Sequence, residues 1–368
     1  MTGDEPAERH RFRRVSPSLI AALVAVGIAL ALPSPKAAAP LSEPEPLHLA
    51  GVWPDATPFT IPGILPDGSS YQPYVVIDPN VSIGLVTATD ADTTRLVVRA
   101  GTLVRPLRTM ATARGEALAA VTVVDRQVYW AETALVDSGD GTTIWRADLT
   151  GSGVRRLVAD AGQIYYRDSA HDIAVADGSV SWAVEAAGGE RSEIRTVSVQ
   201  GGHVRVRPLD RLFGLTTWPW ATTSTSGEPG EAYLLNLSTG EQRVAPAGPE
   251  EFLACSPTWC RVTTLIDDGQ DIAYAIRRWD GSDERALADT PMNVDAALLD
   301  RFDLLGSTAD DGPRRYQRLS LYDIANNRTV LVAEATTGTV GARGGYLWWS
   351  TGDNETLQWR VLDLRQLR

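Results

Sequence analysis

From about Pro73 onward the chain alternates short apolar runs with turn residues, and the alternation follows a fixed order. One apolar run is followed by a second that ends in an acidic or Gly-rich turn, then by a third closed by a Gly turn. The unit is clearest in residues 119–125, 127–132 and 143–149, closed by Thr150-Gly151 and followed by residues 155–159. Within the runs Thr, Val, Trp and Tyr fill alternating positions, the period of two that sends successive side chains to opposite faces of a strand. Helical periodicity is absent, so the repeats predict an all-β fold.

The turn that closes the third run is the best ruler, because it needs residues that tolerate positive φ. Its copies are Ala100-Gly101, Thr150-Gly151, Gly201-Gly202, Thr239-Gly240, Asp280-Gly281 and Asn326-Asn327, with residues 359–364 starting a further copy. The spacing is about 45 residues, the length of one four-stranded blade. Six turns and an unfinished seventh predict a seven-bladed β-propeller. A six-bladed ring is the alternative, since the fourth repeat (215–244) carries a polar insert at 222–231 that could disguise a weaker unit. The seventh repeat offers runs at 339–343, 346–350 and 357–364 but no outer strand. An open sheet edge invites foreign pairing, so residues 57–61 are expected to supply that strand. Roughly 310 residues suit one radial array of small sheets. Eleven Trp stand against five Phe. Trp130, Trp145, Trp182, Trp348, Trp349 and Trp359 are expected to fill the wedges between blades, whereas Trp218 and Trp220, flanking Pro219, are expected to be exposed partner contacts.

Ahead of the repeats, Arg9, Arg11, Arg13 and Arg14 precede an apolar stretch at 15–32 whose strictly apolar part, 19–32, matches a signal-peptide core or a short anchor helix. The charge asymmetry predicts a cytoplasmic basic tail (1–14), a single hydrophobic signal anchor or signal peptide (15–32), a Pro-rich linker (33–56) and an extracytoplasmic propeller (57–368). Cleavage near Ala39 would instead release a secreted form. Nine prolines between residues 33 and 66 favour an extended, semi-rigid stalk. Cys255 and Cys260 are the two cysteines, placed in a hairpin where opposed residues can come near the Cα separation of about 5.5 Å that a disulfide prefers. Lys36 is the sole lysine among 34 cationic residues, a bias expected of a GC-rich bacterial genome of the actinobacterial type.

The net charge of −12 is unevenly spread. Acid collects in the turn between second and third runs, as Asp90 and Asp92, Asp137 and Asp140, Glu185 and Glu190, Glu228 and Glu231, Asp267, Asp268 and Asp271, Asp310 and Asp311, and Asp353 and Glu355. In a propeller these turns share one face and would form an acidic crown. Arg155, Arg156, Arg205, Arg207, Arg277, Arg278, Arg314, Arg315 and Arg318 fall on third and fourth runs, towards the rim. Solvated turns favour such acids anyway, but a carboxylate ring also attracts cations. Asp267, Asp268 and Asp271 are the densest calcium candidates, and Asp90, Asp92, Asp310 and Asp311 are candidate partner contacts. Nucleic acid is excluded by the lack of a basic face with interleaved aromatics. No nucleophile elbow, phosphate loop or zinc-binding His pair occurs, and His171 and His203 read as exposed turn residues. No catalytic residue and no cofactor is expected.

Val128-Tyr129-Trp130-Ala131-Glu132, continued by Ile144-Trp145-Arg146-Ala147-Asp148-Leu149-Thr150-Gly151, resembles a YWTD-type propeller repeat. Ser320-Leu321-Tyr322-Asp323-Ile324-Ala325-Asn326-Asn327 is similar to the strand–turn–strand of TolB-like repeats. The resemblance implies a TolB-like, periplasmic or surface-exposed interaction propeller; with the N-terminal segment the expectation is a membrane-tethered, monomeric ring that binds a protein or a small extracytoplasmic ligand. The alternative is a propeller hydrolase or lactonase using carboxylates and a divalent metal in the central channel.

Overall fold

The computed structural model describes residues 46–368, apart from 89–91, 137–138, 224–227, 311–314, 337 and 354. Seven sheets make seven blades. Six are built from consecutive chain: residues 70–111, 117–158, 173–208, 214–245, 251–287 and 290–336. The seventh combines 340–343, 346–351 and 358–363 with an outer strand from the other end of the ring, Phe59–Pro62. That strand pairs antiparallel with Gln358–Asp363, Phe59 opposite Val361 and Ile61 opposite Trp359. The expected borrowed strand is therefore present, and the six-blade alternative falls because residues 214–245 form a complete, if short, four-stranded blade.

The ruler turns behave as their residues require. Gly151 adopts φ 86° and Asn327, where the glycine is replaced, adopts φ 48°, each joining the third and fourth strands of its blade. The first strands of the seventh, first, second and third blades touch in turn, which puts them around the axis. Apolar clusters form at the seams between blades. Trp130 and Trp182 are fully buried, Trp348, Trp349 and Trp359 nearly so. Trp145 is only partly covered; it stacks on Trp130 at 6.3 Å between ring centroids and carries the Arg108 guanidinium on its ring.

Packing begins ahead of the expected boundary at residue 57. Leu47–His48 adds a parallel fifth strand to the sixth blade, and the helical turn Leu49–Val52 buries Leu49 beside Trp53, which meets Phe302 edge-on. Among the described residues no helix is long and apolar enough to cross a membrane; the segment 15–32 lies outside them.

Cys255 and Cys260 face each other in register and are bonded. Their Cα atoms are 4.0 Å apart, closer than the expected spacing. The physical reason is the ladder: Ser256 N–H donates to Trp259 O, so the next pair out is a non-hydrogen-bonded one, where strands approach most closely. Closing so short a loop should stabilise by only about 2 kcal/mol in the chain-entropy model. Reduction is thus expected to add two hydrogen atoms to the intact mass and lower the unfolding midpoint slightly without collapsing the ring, and loss of folding on reduction would contradict this.

Candidate functional site

The first strand of the third blade is interrupted. Ile164 bridges Val184 and Ile173 pairs with Trp182, so residues 165–172 leave the ladder almost where it starts. A long excursion from a strand needs its own hydrogen bonds, and the sequence supplies them. Asp172 accepts the N–H of Arg167 and of Ser169, both at 3.1 Å, while Asp168 turns the chain at φ 53°. The excursion then crosses to other blades. Ser169 Oγ donates to Asp295 Oδ1 (2.6 Å) and Ala170 N–H to Asp295 Oδ2 (2.9 Å), in the sixth blade. Arg343 of the seventh blade donates to Ser169 O (3.0 Å) and to Val121 O of the second (2.7 Å). Direct bonds to the sixth and seventh blades, with Arg343 bonded onward to the second, set the excursion as a plug across the axis.

Against this plug lies a cavity of about 650 Å³, within the size range of small-molecule sites. Its remaining walls are turns between first and second strands, 216–219, 256–258, 293–300 and 343–345. Those turns emerge on the face opposite the second-to-third turns, so the cavity and the expected acidic crown lie on opposite sides of the ring. The sixth blade contributes the most unusual segment, with Ala297, Leu299 and Asp300 all at positive φ (55°, 55° and 58°). Such conformations cost of order 1–3 kcal/mol each and concentrate at functional loops.

The ionic groups of the wall are mostly held by hydrogen bonds. Arg261 forks onto Asp303, which is fully buried, with Nε to Oδ2 at 3.0 Å and Nη2 to Oδ1 at 2.5 Å, and its third nitrogen donates to Met292 O and Val294 O. Burial holds the Arg343 guanidinium below its ordinary value, against the pull of Asp295 and Asp172. His171 is likewise lowered by burial, opposed by Asp295; its Nε2 sits 3.4 Å from Thr217 Oγ1 and 3.9 Å from Asp295 Oδ2. With both partners on one nitrogen, and with Ser169 turned towards Asp295, no serine–histidine relay is assembled.

Burial pushes the Asp172 carboxyl up to about 6, against the two backbone N–H groups and Arg343. A raised carboxyl favours the protonated native state, so its contribution is greatest below the ordinary carboxylate range and is lost as pH rises through about 6. His171 works in the opposite sense, since a lowered imidazole costs stability as pH falls. The wild type minus Asp172→Asn difference isolates the carboxyl: its stability advantage should shrink by on the order of 2 kcal/mol between about pH 4 and pH 7. Urea titrations across that range would read it, and a flat difference would refute the assignment.

Several residues singled out from the sequence lie elsewhere. Trp220 is buried, not exposed: it opens the second strand of the fourth blade and packs against Leu234 and Leu253, with Arg243 over its ring at 4.3 Å. Trp218 is half-buried and, like Trp220, lines the cavity. His203 is exposed as expected, but His171 is part of the cavity wall. Asp92 and Asp267 are exposed in their turns, and Asp271 is exposed at the start of the strand that follows. Asp90, Asp311 and the side chains of Asp268 and Asp310 lie outside the described residues, and among those described no three His, Cys, Asp or Glu are grouped to hold a metal. Arg155, Arg156, Arg205, Arg207 and Arg278 are exposed on third and fourth strands. Arg277 is the exception, buried and bonded to Glu251 and Glu284 because its position faces the seam. The cavity itself had one sequence signal: residues 159–172 form a far longer link between blades than 112–116 does.

No family model matches the chain, and no curated protein matches it in sequence. Solved structures do. An uncharacterised protein from Listeria monocytogenes EGD-e is similar at TM-score 0.50 and 11% identity, over 83% of this chain and 94% of that one. The β-propeller domain of the trilobed protease from Pyrococcus furiosus is similar at TM-score 0.43 and 10% identity, over 65% and 78%. A puromycin-hydrolysing peptidase from Mycobacterium tuberculosis gives 0.44 and 15%, over 78% of this chain and 48% of the peptidase. The chain thus spans about half the length of that peptidase. At these identities the likeness shows the propeller fold.

Proposed function

We propose that the chain is a membrane-tethered, extracytoplasmic binding propeller that takes its ligand in the axial cavity and performs no catalysis. The observation that carries the reading is the plugged axis: Asp172, Asp295 and Asp303 each accept hydrogen bonds that hold the wall together, which suits a fixed binding wall. The disulfide suits an oxidising compartment, and the YWTD-like and TolB-like repeats with the basic, apolar N-terminal segment suit a surface protein.

The rival is a channel-sited hydrolase or lactonase. Chromogenic acetate esters and γ-lactones, each with added calcium or manganese, should show no turnover above buffer. Metal-dependent turnover that disappears in Asp172→Asn or Asp295→Asn would replace the binding reading with the hydrolase. The tether is tested by fractionation of the native host: the chain should remain with carbonate-washed membranes, whereas a soluble form beginning near Pro40 would remove the anchor from this reading.

A further inference from the structure

Among the charged groups inside the cavity, Arg167 stands apart. Arg261 is held by Asp303 and two carbonyls, Arg343 by two carbonyls, and Asp295 and Asp172 by hydroxyl and N–H donors. The charged rim residues Asp168 and Asp300 are exposed. The guanidinium of Arg167 lines the same cavity and makes no hydrogen bond or ion pair with any described residue. It is nonetheless held in place. Its backbone N–H is fixed by Asp172, and its stem runs over Gly214, where a Cβ would come within 2.3 Å of Arg167 Cδ. Gly214 is thus the slot that lets the stem through, with the Tyr165 ring alongside. A half-buried guanidinium with a fixed stem and free donors is prepared for a planar anion, because its fork matches a carboxylate in two parallel hydrogen bonds.

The rest of the cavity narrows the class. Trp218 and Pro219 on one turn and Leu298 and Leu299 on another supply apolar wall, and Leu299 remains 49% exposed on a left-handed backbone. One cation with free donors, with Asp172 beside it and Asp168, Asp295 and Asp300 on the same wall, matches a single negative charge; a doubly charged phosphate would meet repulsion that one guanidinium does not offset. We propose that the cavity binds a small amphiphilic carboxylate, its carboxylate on the fork of Arg167 and its apolar body against Trp218 and the Leu298–Leu299 turn. This rests on the binding reading above and specifies its ligand class.

The test is titration calorimetry of the full chain with decanoate and its uncharged counterpart, methyl decanoate, on wild type and on Arg167→Met, Arg167→Lys and Gly214→Ala. Wild type should bind decanoate at least about tenfold more tightly than the methyl ester. Arg167→Met should lose that preference, and Arg167→Lys, which keeps charge but not the fork, should retain only part of it. Gly214→Ala, which displaces the stem without removing the charge, should weaken decanoate selectively. Thermal unfolding identifies any variant that fails to fold, and the remaining ones decide. Equal decanoate affinity for wild type and folded Arg167 variants, or equal affinity of wild type for acid and ester, overturns the carboxylate assignment while leaving a binding cavity in place. Binding of neither probe to wild type overturns it too, and the ester and lactone assays then judge the broader reading separately.

Discussion

Ile61→Asp should destabilise the ring by roughly 3–5 kcal/mol, the range for leaving a charge without a partner in an apolar interior. Ile61 is fully buried in the seam that joins the two ends of the ring, in one cluster with Tyr71, Val76, Val86 and Val97 of the first blade and Trp359 and Val361 of the seventh. Trp359 Nε1 clamps the same seam by donating to Tyr71 O (2.7 Å), and Gly63 N–H extends the closing strand's own ladder to Leu357 O (2.9 Å). An aspartate at this position can be accommodated only if the strand lifts, which uncovers Gln358–Asp363 as an unpaired edge. Equilibrium urea unfolding should show the loss, and gel filtration should show association through the exposed edge. Thr60→Asp is the control. Thr60 lies on the solvent side of the same strand, so its substitution should stay within about 0.5 kcal/mol. If the two variants behave alike, the strand does not close the ring.

Asp303→Ala should cost a similar amount by a different route. Asp303 lies in the second strand of the sixth blade and Arg261 in that of the fifth, so their bidentate pair ties two blades together beneath the cavity wall. Removing the carboxylate leaves Arg261, 8% exposed, with a buried charge and only carbonyl partners, the situation that costs about 3–5 kcal/mol. Replacing both, as Arg261→Met with Asp303→Leu, should recover at least half of the loss, because a well-packed apolar pair often matches a buried ion pair. Chemical denaturation of the single and double variants checks this, and a double variant as unstable as Asp303→Ala would show that packing, not the stranded charge, sets the cost.

What the sequence could show divides along a physical line. The ring was legible because its determinants are local and periodic: Gly151 and its counterparts mark each blade, the missing outer strand of the last blade is a matter of counting, and Cys255 and Cys260 sit five residues apart in one hairpin. The cavity was not legible because it is assembled at the axis from several blades. Ser169 and Asp295 are 126 residues apart, Arg343 and Val121 are 222 apart, and neither pair leaves a spacing that could be searched for. His171 read as a turn residue for the same reason: it is in a turn, but one that lies across the channel. Trp220 read as exposed because a polar insert follows it, whereas that insert belongs to the turn on the other face. The lesson concerns lengths more than motifs, since the extra residues between Val158 and Ile173 were visible before any of their contacts could be.

The closing strand also fixes how the molecule bears a mechanical load. Before the chain reaches Phe59–Pro62 it is attached to the sixth blade first through Leu47 and His48, which lie parallel to Val330 and Leu331 on its outer edge, and then through Trp53 against Phe302. Tension applied at Pro46 therefore falls first on the two-residue strand and the Trp53 contact behind it, and next on the outermost strand of the seventh blade. The innermost strands around the axis carry none of it until that strand gives way. The two outer attachments act as a fuse in series: the ring would part at one seam, between its first and last blades, with the cavity side of the molecule strained last.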